Sequence, residues 1–345
     1  MKAVVLVGGE GTRMRPLTET IPKPLIPLMD RPSLDHVLDH LVRHGVHEVV
    51  MSSPYLESTF HGFIESRHGD PRITWITEEQ PLGTGGAIVH ALDHIDDAPF
   101  FALNGDILTD LDLSEMLRFH GSRGATATIA LHHVDDARPF GLVPTDRSGR
   151  VQKFREKPGE LIPGDINAGT YILDPGTLSE WPTGENISIE RQIFPALIAS
   201  GRPVYGFLAD AYWLDLGTPQ QYLQAHFDIL ENRVKGEHYR APWVAEGASV
   251  DLRAHLGRWV AVGPGASVAA EATVEDSVLL PGASVAEGAT VVSTILGPRA
   301  RVGPGASVVD SVLAEEARLP AGMVLTGGQV SAGREAHPGD QPEAP

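Results

Sequence analysis

Three glycines and three cations near the start of this 345-residue chain have the types and spacing to do chemistry: Gly8, Gly9 and Gly11, then Arg13, Arg15 and Lys23. Glycines can adopt φ > 0 and let a phosphate approach bare backbone N–H groups, and arginines just beyond them fix positive charge. That combination suits a polyphosphate. Pro22 and Pro24 flank Lys23 and are expected to pin it in an extended segment, because proline disfavours helix for the residue before it. Two familiar loops do not fit. The P-loop needs a Gly-Lys-Ser/Thr ending that is absent, and the dinucleotide fingerprint needs a third glycine where Met14 stands. Local sequence therefore gives an anion loop after the first strand, or only a tight turn.

The elements that must position these residues read as an alternation. Ala3 to Val7 is a short apolar run of β-branched character, as in a buried strand of a parallel sheet. Ser33 is expected to cap a helix carrying Leu34, Val37, Leu38, Leu41 and Val42 and ending at Gly45. Strands follow at Val46 to Ser52, Arg72 to Thr77 and Pro99 to Asn104, with helices near Leu56 to Ser66 and from Gly86 to His94. Strand alternating with helix implies right-handed βαβ units and a Rossmann-like, mostly parallel α/β sheet. Ligands bind such sheets at the carboxyl ends of strands, where Gly8 to Arg13 and Asn104-Gly105-Asp106 both fall. From Leu113 to Asn232 the alternation loosens into strands at Ala125 to His133, Gly149 to Arg155, Ala168 to Leu173 and Pro203 to Leu208. Helices are expected there near Ile189 to Ser200 and Pro219 to Asn232.

Beyond Arg240 the period changes. Val244, Val250, Leu256, Val262, Val268, Val274 and Leu280 stand six apart, and the phase resumes through Val285, Val291, Leu296, Val302, Val308, Leu313, Leu319 and Leu325. A hexapeptide period of aliphatic residues with small residues between them marks a parallel β-helix, each aliphatic stacking on the coil below. Five-residue steps at Leu280 to Val285, Val291 to Leu296 and Val308 to Leu313 imply imperfect coils. The expected organisation is an α/β domain over 1–235, a β-helix over 240–328 and a disordered Gly-, Pro- and charge-rich tail over 331–345.

Composition narrows the partners. With 27 Lys+Arg against 45 Asp+Glu the formal net charge is −18, which disfavours a nucleic-acid backbone or an anionic membrane surface. The chain has no cysteine, so disulfides and thiolate metal sites are excluded and a reducing compartment fits. Met1-Lys2 leads into a core strand instead of a signal peptide, and no apolar run has spanning length, so a cytoplasmic location is expected.

The segment GGEGTRMRPLTETIPKPLIP resembles the signature of the sugar-1-phosphate nucleotidylyltransferases, the sugar-nucleotide pyrophosphorylases, whose pattern is GGxGTRLxPLTxxxPKPL; Met14 in place of Leu is the visible departure. The repeat region in turn resembles the left-handed hexapeptide-repeat domain behind many members of that family, and implies a homo-oligomer formed through it. The resemblance implies attack of a sugar-1-phosphate oxygen on the α-phosphorus of a nucleoside triphosphate, releasing pyrophosphate. A phosphate monoester with a second pKa near 6 is mostly dianionic at neutral pH, so no general base is required. Positioning and charge neutralisation of two anions are what the reaction needs.

Carried over residue by residue, the resemblance puts the nucleotide against Leu6, Gly8, Gly9, Gly11, Thr12, Arg13 and Lys23, with Arg13 stabilising the departing pyrophosphate. It makes Asp106, and Asp215 of Trp213-Leu214-Asp215-Leu216-Gly217-Thr218, the ligands of Mg²⁺, a cation that takes a few carboxylates plus phosphate oxygens. Phe154-Arg155-Glu156-Lys157-Pro158 is similar to the family's F-x-E-K-P element, so Lys157 would neutralise the sugar phosphate and Glu156 would accept from sugar hydroxyls. Asn167 and Gly169, in a segment similar to N-x-G-x-Y, would line the sugar, with Gly141 passing beneath it. Glu79 to Ala87 is the base-side loop, with Gln80 and Gly85 expected at the base edge and Asp106 also on the nucleotide. Its Leu-Gly-Thr-Gly-Gly run is most similar to guanylyltransferases that make GDP-mannose from GTP and mannose-1-phosphate. Glucose-1-phosphate with UTP, dTTP or ATP, and a non-catalytic homologue that binds sugar nucleotide and a partner subunit, are the alternatives. His132-His133 reads as strand surface. His255 in the repeat would matter only in an acyltransferase.

Overall fold

Ala3, Val4 and Val5 are fully buried in the strand β1 (Lys2–Leu6), which pairs in parallel with β2 (Glu48–Ser53) on one side and β4 (Phe100–Asn104) on the other. The computed structural model describes residues 1–54, 57–157 and 159–340; Leu56, Pro158 and 341–345 of the expected tail lie outside the described residues. Chain contacts divide it into two units, residues 1–9 with 34–213 and residues 10–33 with 214–345.

The first unit is built on a nine-stranded sheet. Strands β1, β2, β3 (Arg72–Thr77) and β4 are parallel, their connections carrying α1 (Ser33–Arg43), α2 (Glu57–Ser66) and α3 (Gly83–His90). The expected alternation is therefore realised. β8 (Gly164–Leu173) adds antiparallel to β4, and β5 (Ala127–Val134) pairs antiparallel with β8. β6 (Gly141–Leu142) and β7 (Arg155–Glu156) continue antiparallel from β8, and β9 (Val204–Leu208) joins β5 in parallel. Expected strand Gly149 to Arg155 is replaced by the isolated bridges Thr145 to Val151 and Arg150 to Tyr205 and by short β7. Ser33 begins α1 but its hydroxyl donates to Pro24 O at 2.9 Å, holding the preceding loop instead of capping the helix.

In the second unit the loop 10–33 is tied to α4 (Pro219–Leu230) and to the chain after it. Met29 N–H donates to His226 Nε2 at 3.2 Å, the Tyr222 hydroxyl donates to Pro27 O, and Arg31 reaches both oxygens of Glu237 at 3.1 Å. Lys23 is not extended as expected. It opens a 3-10 turn, Lys23–Leu25, in which Leu25 N–H donates to Pro22 O at 2.8 Å, and Pro24 fits there because early helical positions need no N–H.

The repeat forms a left-handed parallel β-helix of three ladders. One ladder stacks Val244, Val262, Leu279, Leu296, Leu313 and Val330. Leu279, not Leu280, is thus the stacking residue, and the first short step runs from Val274 to Leu279. After the first coil the shortening recurs once per coil, so the coils are regular, with partners 18 residues apart from Trp243 through His255 and 17 apart from Ala261 onward. The short corner is set by Asp276, Ser293 and Asp310 at φ of 45° to 48°, and by Gly327. A buried hydroxyl ladder spans it: Thr294 N–H donates to Ser277 Oγ, Ser311 N–H to Thr294 Oγ1 and Gly328 N–H to Ser311 Oγ, at 3.0 to 3.3 Å. Ser331 to Ala336, expected in the disordered tail, instead complete the last coil, since Ala336 is buried and Arg318 bridges to Glu335.

Candidate active site

At the carboxyl end of β1, the first unit holds a cavity of about 240 Å³ lined by Leu6, Gly8, Gly9, Ser52, Glu78 and Gly83 among others. Glu78 is buried, its two oxygens accepting from the Ser52 hydroxyl at 2.7 Å and from Leu82 N–H at 3.1 Å. Its carboxylate is thus fixed in orientation while lining an open space. The glycines that follow have another duty. Gly85 N–H donates to Ile187 O at 2.7 Å, and an added Cβ at Gly85 or Gly86 would meet Ile193 at 2.8 Å or Glu185 O at 2.3 Å. They allow the loop to lie against the segment 185–193.

Of the expected base-side residues, Gln80 is exposed and donates to Gly184 O at 3.2 Å, and Gly85 faces Ile187 to Ile193. Leu6, Gly8 and Gly9 do line the cavity. Gly83, inside the expected base-side loop Glu79 to Ala87, does line the cavity, whereas Glu78, one residue before that loop, was missed by sequence reasoning. The signal for Glu78 was register: it lies two residues beyond Ile76, which pairs with the cavity-lining Ser52 across β2 and β3, and alternate residues share a face.

The residues expected on the sugar side converge on the antiparallel part of the sheet. Glu156 pairs with Gly141 between β7 and β6, and Leu142 pairs with Ile166, one residue before Asn167. A Cβ on Gly141 would stand 2.8 Å from the Phe154 ring and 3.1 Å from Glu156 Oε2. The ladder between β8 and β5 shifts register between Asn167 and Tyr171, and within that irregularity Gly169 takes φ 70°. Asn167 donates to the Tyr171 hydroxyl at 2.8 Å and accepts from Gly169 N–H at 3.1 Å; burial pushes the Tyr171 hydroxyl pKa well up, keeping it neutral. Lys157 is exposed at φ 45°, with Nζ 3.9 Å from Glu156. His132 is not simply surface: its ring stacks on Trp213 at 5.3 Å.

Asp106 follows β4 in the turn Asn104-Gly105-Asp106, where Gly105 N–H donates to Leu6 O at 2.9 Å. An added Cβ at Gly105 would stand 3.0 Å from that oxygen, so only glycine lets the turn close on the end of β1. Beside it, Asn104 Oδ1 is buried with no hydrogen-bond partner among the described residues. Such an orphaned acceptor is expensive unless a ligand satisfies it.

The cations of the anion loop belong to the second unit. Gly11, at φ 60°, precedes the 3-10 turn Thr12–Met14 that carries Arg13, and its carbonyl accepts from Thr18 Oγ1 at 2.8 Å. A Cβ on Gly11 would stand 2.9 Å from the Thr18 methyl and 3.2 Å from Lys23 Cβ, so the two ends of the loop are packed together there. Asp215 stands 3.7 Å from both Arg13 and Lys23, and Gly217 leaves room for that group, since its Cβ would lie 2.9 Å from Arg13 NH2 and from Asp215 Oδ2. Lys23 and Asp215 are largely buried whereas Arg13 is 66 % exposed. Arg15 is exposed at the end of the same turn.

Among the described residues no group of three or more His, Cys, Asp or Glu could hold a metal ion. Asp106 in the first unit and Asp215 in the second are each carboxylates, the donor type a hard divalent cation takes together with phosphate oxygens. His255 is exposed on the β-helix, 3.7 Å from Glu275. No helix among the described residues is long and apolar enough to cross a membrane.

Comparison with known proteins bears on this geometry. The family described as nucleotidyl transferase matches residues 2–232, and that described as GMPPB C-terminal domain matches 240–337. The chain is 36% identical over 288 residues to a mannose-1-phosphate guanylyltransferase of Mycobacterium tuberculosis, covering 80% of this chain and 79% of that one. It is likewise 36% identical over 289 residues to mannose-1-phosphate guanylyltransferase 1 of Arabidopsis thaliana, covering 81% and 80%. Among solved structures, HddC from Yersinia pseudotuberculosis is similar at a TM-score of 0.58 and 30% identity, over 65% of this chain and 97% of that one. The same protein has been solved complexed with GMP-PN, with the same similarity.

Proposed function

This chain belongs to the nucleotidyl transferase family and is a sugar-1-phosphate nucleotidylyltransferase, and we propose that its substrates are GTP and mannose-1-phosphate and its products GDP-mannose and pyrophosphate. The names of the relatives support this choice. The observation that carries it is Glu78, a carboxylate held rigid in the cavity by Ser52 and Leu82. A carboxylate accepts hydrogen bonds and donates none, and guanine presents two adjacent donor sites, N1–H and the N2 amine, on one edge. Adenine and uracil each set an acceptor beside the donor on that edge, which a fixed carboxylate opposes.

In this reading Arg13 and Lys23 hold the triphosphate, Arg13 taking the charge of the departing pyrophosphate, with Leu6, Gly8, Gly9, Gly11 and Thr12 offering close backbone approach. Glu156, Asn167, Gly169 and Gly141 hold the sugar ring, and Lys157 neutralises its phosphate. Asp106 and Asp215 are the carboxylates for Mg²⁺, which supplies charge neutralisation to the phosphates when bound. In the free protein Asp215 pairs with Arg13 and Lys23 and offsets part of their charge; a triphosphate would compete with it for these cations, and Asp215 would then be able to serve as a ligand for a bound divalent cation. Catalysis is then alignment of two anions in a field of fixed cations, with no proton transfer to a side chain.

We assign the protein to the cytoplasm, the compartment that holds nucleoside triphosphates, and expect a homo-oligomer through the β-helix, where Leu252 and Val324 are exposed. The residue assignment is tested with Asp106→Asn. We expect turnover to fall by on the order of 100-fold or more with an unchanged melting temperature; near-normal turnover would overturn the metal assignment.

A further inference from the structure

The loop that carries Arg13 and Lys23 makes a contact that the chemistry above does not use. Glu19, between those two cations, accepts from the Ser331 hydroxyl at 3.1 Å and from Ala332 N–H at 2.9 Å. Both donors belong to the last coil of the β-helix, just past the strand Gln329–Val330, and are 312 and 313 residues away in sequence. All of these residues lie in the second unit.

We propose that Glu19 is a positioning residue for the triphosphate, through which the last coil of the β-helix sets the placement of Arg13. The proposal rests on the reading of loop 10–33 as the triphosphate site. The path is short and made of named contacts. Glu19 ends the 3-10 turn Leu17–Glu19, and its neighbour Thr18 donates to Gly11 O at 2.8 Å. Gly11 O also accepts from Met14 N–H at 2.9 Å, the hydrogen bond that closes the turn bearing Arg13. Gly11 is pressed against Thr18 and against Lys23 Cβ, so displacement of the Leu17–Glu19 turn reaches both cations.

Three features separate this contact from an incidental surface pair. Glu19 binds a backbone N–H as well as a hydroxyl, so the β-helix offers a fixed geometry instead of a flexible side chain. Ser331 and Ala332 are themselves held by the completed coil, through the Arg318 to Glu335 bridge and the hydrogen bond from Arg334 N–H to Ser331 O at 3.2 Å. And the loop's hydrogen bonds to α4 and to Glu237, at Pro27, Met29 and Arg31, lie after Lys23, whereas Glu19 lies before it. Glu19 supplies a contact to the β-helix on the Arg13 side of Lys23.

The experiment compares Glu19→Ala, Glu19→Gln, Ser331→Ala and the double variant Glu19→Ala/Ser331→Ala in the full chain. Steady-state kinetics are measured with each substrate varied separately. Hydrogen bonds to a charged acceptor are stronger than neutral ones, so KM for the triphosphate should rise about tenfold in Glu19→Ala, with KM for the sugar phosphate unchanged. Glu19→Gln, which still accepts from Ala332 N–H, should recover most of that loss. The double variant should be no worse than Glu19→Ala alone. Amide hydrogen exchange gives a readout independent of turnover: Met14 N–H should exchange faster in Glu19→Ala than in the wild type. Wild-type triphosphate KM together with wild-type exchange at Met14 would overturn the proposal. Equal rises in both KM values would also overturn it. Altered exchange at Met14 in a protein that turns over no sugar phosphate would instead defeat the reaction reading and leave the coupling standing.

Discussion

Asp215 places its carboxylate 3.7 Å from the ammonium of Lys23, and the same carboxylate stands 3.7 Å from Arg13. One anion therefore occupies the charge of two cations that a triphosphate would need, and the group is shielded, with 15 % of the Asp215 side chain and 12 % of the Lys23 side chain exposed. Asp215 thus offsets part of the charge of the two cations, and in the proposed reading a triphosphate exchanges for that carboxylate.

Asp215→Asn should separate binding from turnover. Without the competing Asp215 carboxylate, Arg13 and Lys23 lose one anion that opposes a triphosphate, so the triphosphate should bind at least as tightly in the absence of divalent cation. Turnover with Mg²⁺ should fall on the order of 100-fold, as expected when a transition-state contact is removed. Titration calorimetry and a pyrophosphate assay read the two quantities. Weaker metal-free binding together with retained turnover would contradict the exchange.

Glu78→Gln should change the choice of base more than the rate with the best one. A carboxamide offers a donor where the carboxylate offered only acceptors, so the preference for GTP over ITP, which lacks the N2 amine, should shrink by about tenfold, within the range for one hydrogen-bonded group. Competition between the two triphosphates measures this directly. An unchanged ratio would remove Glu78 from the base edge.

His40 should make the fold sensitive to mild acid. It is buried on α1, its Nε2 has no partner among the described residues, and its pKa is lowered to about 3, first by burial and then by His44 and Arg43. The folded state holds the neutral ring, so its contribution to stability is complete above the unfolded value of 6.5 and is lost as pH falls from there toward 3. At 1.36 kcal/mol per pKa unit the loss between pH 7 and pH 5 is about 2 kcal/mol. His40→Gln should remove that component from the pH dependence of the urea midpoint, and an identical slope in the variant would exclude His40 as its source.

Much of the architecture was legible because it rests on period. Buried Val4 and Val5 announce a central strand, and aliphatics six apart announce stacked coils. Where the sequence offered two equal neighbours it misled: Leu279 and Leu280 are both buried leucines, and only the pairing of Leu279 with Leu296 decides which one stacks. Glu78, Glu79 and Gln80 posed the same difficulty, because three adjacent polar residues reveal neither which one faces the cavity nor which one meets Gly184. The signature loop was legible as chemistry but not as structure. Its tethers to His226, Glu237 and Ser331 span 197 to 312 residues, and no local pattern encodes a partner so far along the chain.

The central claim is the reaction with its substrates, and the most direct measurement is pyrophosphate release with Mg²⁺ across a grid of nucleoside triphosphates and hexose-1-phosphates. A sharp maximum at GTP with mannose-1-phosphate is predicted, at least about tenfold above every other pair, as a site built on base hydrogen bonds should give. A maximum at glucose-1-phosphate with UTP, dTTP or ATP, or no pyrophosphate from any pair, would contradict it.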